Sequence, residues 1–116
     1  MHPATHPTTK RMITERLRKE WMTWPKKFAA IQRQAERMTL PNGRQKTLIR
    51  CAQCQNLFSR KDVQADHIIP VGPLASTNPG DVADFKQRLF CHVGNLQALC
   101  RDCHLSKTKM DKQIFH

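Results

Sequence analysis

A small α+β fold is what this chain predicts, and three observations predict it. Apolar residues recur every three or four positions from Lys10 to Met38. Short runs of strand-forming residues follow at 46–50, 63–69 and 93–99. Two C-x2-C pairs, Cys51 with Cys54 and Cys100 with Cys103, bracket the last two of those runs. A chain of 116 residues is the size of one domain, and five Phe, two Trp and no Tyr leave it a thin aromatic core. A metal clamp suits a core of that kind.

Taken in order, residues 1–9 carry His2, Pro3, His6 and Pro7 with too little apolar content to fold, and predict a loose tail whose histidines are incidental. Residues 10–40 predict a basic helical arm. Its stripe is Ile13, Leu17, Trp21, Trp24, Phe28, Ile31, Ala35 and Met38, an apolar face meant for a core rather than for stacking on bases. Pro25 lacks an amide hydrogen and turns the preceding residue away from helical angles, so the stripe is either kinked or split into two helices near Thr23. Residues 41–50 predict a linker: Leu40 to Gly43 is turn chemistry, and Lys46 to Arg50 a short strand. Residues 51–116 predict the core. Within them Val63–Ile69 is a strand ended by Pro70, Val71–Pro79 a loop, Asp81–Phe90 a short helix, Val93–Leu99 a strand and Arg101 to about Met110 a helix.

Charge is unevenly placed. Of the formal +11, residues 1–50 carry +9, from twelve Lys and Arg against three Glu, while the remainder carries +2. Such a balance predicts a polyanionic partner, nucleic acid ahead of a membrane surface, because no amphipathic lipid-type stretch accompanies it. Lys26, Lys27, Arg33 and Arg37 are the arm's candidates for nucleic-acid contact. No apolar run is long enough to span a bilayer. The chain opens Met1, His2, Pro3 without an apolar signal segment and holds an odd five cysteines, which together predict a reducing, intracellular setting.

Each C-x2-C pair presents two thiolates on a tight turn, and two pairs supply the four soft ligands of a tetrahedral zinc. Cys51, Cys54, Cys100 and Cys103 are therefore expected to hold a structural Zn2+. Adjacent helical residues point about 100° apart, so His104 is poorly placed to share that ion and is available to a second site. With the zinc shell closed by four thiolates, Cys91 and His92 are not needed as ligands.

Asp66, His67, Ile68, Ile69 and Pro70, then Asn95 to Cys100, then Cys103 and His104 with Lys107 three residues on, carry a family resemblance. Residues 51–112 resemble the HNH endonucleases, in the subgroup whose ββα-metal (His-Me finger) core is clamped by a four-Cys zinc site. The resemblance implies a hairpin ending in a helix, one divalent ion between the first strand and that helix, and DNA cleavage leaving 5′-phosphate and 3′-hydroxyl ends. Its small free members belong to phages, with terminase or other packaging proteins as partners in the cytoplasm of a bacterial host, or to mobile elements, and the sequence does not choose between the two. The expected chemistry assigns the ion to Asp66 and His104, the ion being Mg2+, Mn2+, Ni2+ or Zn2+. His67, with an unperturbed pKa of about 6.5, is the general base. Asn95 is carried over from the family as the residue that bridges the loop and orients His67. Lys107 and Thr108, at i+3 and i+4 from His104, share its helical face and are expected to grip a phosphate. Two other readings compete: a non-catalytic zinc module that binds DNA, and an HNH nuclease acting on RNA.

Overall fold

A computed structural model of the chain describes residues 9–114. Among them are four helices and two antiparallel sheets, an α+β arrangement that divides into two compact units. The first comprises residues up to Trp24 with Val71–Cys91; the second comprises Pro25–Pro70 with the residues from His92 onward. The expected tail lies almost wholly outside the described residues, and His2 and His6 with it.

The first unit is two helices and a loop. Helix α1 (Lys10–Met22) starts where the Thr9 hydroxyl accepts the Met12 amide at 3.1 Å, satisfying one of the donors a helix start leaves without a partner. It stops at Thr23, two residues before the proline that cannot donate. Helix α3 (Pro79–Leu89) opens on a proline at its first position, with Asp81 in the favourable first turn. The Ser76 hydroxyl donates to Asp81 at 2.5 Å and ties that turn to the loop before it. Leu17 of α1 packs with Phe85 and Leu89 of α3 and with Val71 and Leu74, while Ile13, Trp21, Val82 and Phe90 line the margin. Arg88 reaches back to the Val71 carbonyl and holds the loop onto α3.

The second unit carries the cysteines. Helix α2 (Pro25–Gln32) is followed by the hairpin β1 (Ala35–Thr39) and β2 (Gln45–Arg50), with the short β3 (Leu57–Phe58) added to β2's far edge. A second sheet pairs β4 (Val63–His67) with β5 (Leu96–Cys100), in register Val63 with Cys100, Asp66 with Gln97 and His67 with Leu96. Helix α4 (Arg101–Ile114) leaves β5 without a break and packs on both strands, while α2 packs on them too. Ile31, Ile49, Val63, Ala65, Leu96, Ala98 and Leu99 are buried, alternate residues of β4 facing inward as a half-buried strand requires.

One expected element differs in type. The periodicity predicts a helical stripe as far as Met38, but helix α2 ends at Gln32 and Ala35–Thr39 is a strand. Local periodicity loses to a non-local partner. The turn at residues 40–44 is closed by Leu40 and Gly43 hydrogen bonds, with Gly43 at φ +84°, where a side chain would be strained. It folds 45–50 back on 35–39 and gives every residue of the strand a partner. Met38 is consequently 38% exposed, and Phe28, the stripe's expected core residue in α2, is 48% exposed. Residues 10–40, expected as one arm, are thus shared between units: α1 belongs to the first, α2 and β1 to the second.

Candidate metal centres

The four cysteines converge. Cys51 follows β2, Cys54 lies on the turn beyond it, Cys100 ends β5 and Cys103 sits in the first turn of α4. The first turn is tight because Gln55 takes a left-handed φ of +65° and its amide bonds the Cys51 carbonyl at 3.0 Å. The four sulfurs lie within 4.8 Å of one another, with Cys54 and Cys100 at 4.0 Å. Zinc–sulfur bonds of about 2.3 Å in a tetrahedron put the sulfurs about 3.8 Å apart, so the cluster fits a structural zinc with only a small contraction. The Cys100 amide donates to the Cys51 sulfur at 3.4 Å.

Electrostatics argue the same way. Burial pushes the Cys51 thiol up, but amide hydrogen bonds from Cys100, Cys54 and Gln53 outweigh it and bring the group down to about 6. Burial and then the neighbouring sulfurs push Cys103 up to about 12, and burial raises Cys100 as well. One thiolate, Cys51, is favoured, while Cys100 and Cys103 resist ionising beside it. A divalent cation at the centre removes that resistance, which is why four crowded thiols fit zinc. Among the described residues these cysteines are the one group of three or more ligating side chains gathered so closely. Outside it, His92 Nδ1 accepts the Gly94 amide at 3.0 Å and caps the 3-10 turn at 93–95.

Beside the thiol cluster, Asp66 and His104 meet as a pair. Asp66 is the fourth residue of β4 and His104 follows Cys103 on α4, so the thiol cluster that fixes the start of α4 also fixes His104 opposite the strand. His104 Nε2 stands 3.8 Å from Asp66 Oδ1, with the side chains 28% and 11% exposed. Asp66 Oδ2 also accepts from its cross-strand partner Gln97 at 3.3 Å and lies 3.2 Å from the Lys107 ammonium. Lys107 in turn reaches Asp111 at 2.7 Å. Burial pulls the Lys107 pKa down, but Asp111 and Asp66 more than offset that and hold it above the ordinary lysine range.

His67 is the last residue of β4, where strand alternation ceases to force it away from its neighbour Asp66. Asn95 clamps the segment that follows. Its backbone carbonyl accepts from Ile68 at 2.8 Å, its side-chain oxygen accepts from the Ile69 amide at 2.9 Å, and its side-chain nitrogen donates to the Ile69 carbonyl at 3.3 Å. These bonds bridge the loop through Ile69. The Thr108 hydroxyl donates to the His104 carbonyl at 2.8 Å, within its own helix.

The expected nucleic-acid contacts divide. Lys26 and Arg37 are exposed, on α2 and β1. Lys27 has its pKa lowered by burial and then by Arg60, and both cations lie over the Phe28 ring, at 5.9 and 5.5 Å from its centre. Arg33 donates to the Val93 and Leu96 carbonyls at 3.0 and 3.2 Å, so it binds the 3-10 turn that leads into β5.

Sequence reasoning passed over three polar residues that organise this unit. Gln34 caps the edge of β5 that β4 leaves open: its side chain accepts the Ala98 amide at 2.9 Å and donates to the Ala98 and Arg50 carbonyls at 3.0 and 2.7 Å. Gln97 and Asp111 hold Asp66 and Lys107. No spacing rule marks them; only Asp111, at i+4 from Lys107 on a helix, carried a legible signal. Compared with known proteins, the chain matches no family model, no curated protein and no solved structure. No described helix is long and apolar enough to cross a membrane.

Proposed function

We propose that the chain is a metal-dependent endonuclease of the HNH type, with a ββα-metal core formed by β4, β5 and α4, that hydrolyses phosphodiester bonds of double-stranded DNA. The observation that carries this reading is the meeting of Asp66 and His104 at 3.8 Å, next in sequence to His67 and to Cys103 respectively. Neighbouring ligands about 2.1 Å from one ion lie about 3.0–3.4 Å apart, so the pair would share a single divalent ion after closing by about 0.4–0.8 Å. Asp66 and His104 would hold such an ion, which would supply Lewis-acid stabilisation of charge at the scissile phosphate.

The chain's own residues supply the remainder. His67 accepts a proton from the attacking water, the P–O3′ bond breaks as the new P–O bond forms, and the departing 3′-oxygen takes a proton from solvent water, giving a 5′-phosphate and a 3′-hydroxyl. Asn95 holds the backbone two residues beyond His67 and so limits its excursions. Lys107 and Thr108 stand on the His104 face of α4, but Lys107 is paired with Asp66 and Asp111 and the Thr108 hydroxyl donates to the His104 carbonyl, so neither is assigned to the phosphate. Lys26, Lys27 and Arg37, with the chain's excess positive charge, favour a polyanion. A phage setting, with packaging proteins such as the terminase as partners, follows from the resemblance alone.

Supercoiled plasmid tests this reading. Zinc-loaded protein should leave it intact without other divalent ions and convert it to nicked or linear forms when Mg2+, Mn2+, Ni2+ or excess Zn2+ is added. Binding without cutting under every ion would instead identify a non-catalytic zinc module, and cutting of RNA alone would move the substrate class.

A further inference from the structure

Asp66 is the carboxylate assigned to the ion, and its oxygens are already contested. Lys107 Nζ lies 3.2 Å from Asp66 Oδ2, on the oxygen that Gln97 also contacts, and 2.7 Å from Asp111 Oδ2 one helical turn further on. All three side chains are largely buried: Asp66 is 11%, Lys107 16% and Asp111 26% exposed. An ammonium between two carboxylates in so sheltered a place is held firmly. It also sits where a divalent ion on Asp66 would be repelled by it.

We propose that Lys107 is a built-in competitor of the divalent ion for Asp66, and that Asp111 is the positioning residue that draws Lys107 aside when the ion binds. The inference rests on the nuclease reading of Asp66 and His104 as ion ligands. The geometry makes the exchange small. Lys107 is already closer to Asp111 than to Asp66, so yielding Asp66 needs only a change of rotamer on a flexible four-carbon stem, with Asp111 keeping the charge paired throughout. The ion's affinity is then set by the balance between the two carboxylates for one ammonium, as well as by the two ligands themselves.

The two substitutions that test this carry opposite signs. Titrating Mn2+ into zinc-loaded protein by calorimetry, without DNA, reads the site directly, because Mn2+ favours oxygen and nitrogen ligands and leaves thiolates to zinc. Lys107→Met should bind Mn2+ about tenfold more tightly or better, through loss of the competing charge. Asp111→Asn should bind it several-fold more weakly, because Lys107 is left with Asp66 alone. The double variant should match Lys107→Met, since Asp111 acts through the ammonium.

If Lys107→Met binds no more tightly than the parent while His104→Ala abolishes the isotherm, the competition is overturned and the ion site stands. If Asp111→Asn weakens binding equally with and without Lys107, Asp111 acts as a bare charge and its positioning role is overturned. If Mn2+ binds none of these proteins, the ion site itself falls, and the competition with it. Far-UV circular dichroism and zinc content confirm that each variant retains its fold.

Discussion

At the thiol cluster four identical ligands face one another with only backbone amides as other polar partners; at Asp66 one carboxylate and one imidazole meet among a glutamine, a lysine and a second carboxylate. The first arrangement closes a tetrahedron and leaves no position for a substrate. The second, on the proposed nuclease reading, would leave most of an ion's coordination shell to water and phosphate. The two share helix α4, where Cys103 and His104 are adjacent, and the paired strands β4 and β5, which carry Asp66 and Cys100, while Cys51 and Cys54 come from the turn after β2. The difference teaches that the closed site serves the open one: by anchoring the start of α4 against β5, the thiols fix where His104 stands relative to β4.

Breaking the closed site should therefore have the largest effect. Purified protein is expected to contain about one zinc per chain, and Cys54→Ser should give unfolded or insoluble material, given the roughly 10–16 kcal/mol such sites supply in zinc-finger peptides. A soluble Cys54→Ser protein with a native circular dichroism spectrum and no zinc would separate the cluster from the fold. Gln34→Ala comes next. It strips partners from the Ala98 amide and from the Arg50 carbonyl, on the strand that joins the two sites, and should cost about 1–3 kcal/mol in a urea titration. An unchanged midpoint would mean water replaces the amide without penalty.

The smallest of these changes touches neither site. Replacing Lys26, Lys27 and Arg37 together by Gln should leave zinc content and folding unchanged and weaken DNA binding, with the salt slope flattening by about 0.9 for each phosphate that is no longer neutralised. Arg33 is best left in place, because its guanidinium binds the Val93 and Leu96 carbonyls and its removal mixes folding with binding. A salt slope equal to that of the parent would free these three cations from the DNA interface.

Features that depend on near neighbours were legible in the chain. The C-x2-C spacing announces its turn and its ligand type within four residues, and the strands expected at 63–69 and 93–99 and the helices expected at 81–90 and 101 to about 110 appear with shifted ends, at 63–67, 96–100, 79–89 and 101–114, residues 93–95 being a 3-10 turn. The pairing of Asp66 with His104 was legible only through the resemblance, which brings the strand and the helix together. What resisted reading depends on partners far along the chain. Ala35 and Met38 continue a helical spacing by coincidence, and only the strand at 45–50, folded back by the turn at 40–44, decides otherwise. Gln34 and Gln97 are ordinary polar residues until Ala98 and Asp66 arrive beside them. Arg33 reads as a surface cation, because nothing in its neighbours reveals two carbonyls sixty residues away.

The division of labour between His67 and His104 is the claim on which the open site turns, and cleavage of supercoiled plasmid measured against Mn2+ concentration tests it most directly. His67→Ala should keep zinc, fold and DNA affinity, lose about 100-fold or more of the cutting rate, and gain nothing from added metal. His104→Ala should keep zinc and fold as well, yet recover part of its activity at high Mn2+, because it weakens an ion rather than removing a base. High metal restoring His67→Ala and not His104→Ala would reverse the two roles, and full cutting by both variants would contradict the account of this site.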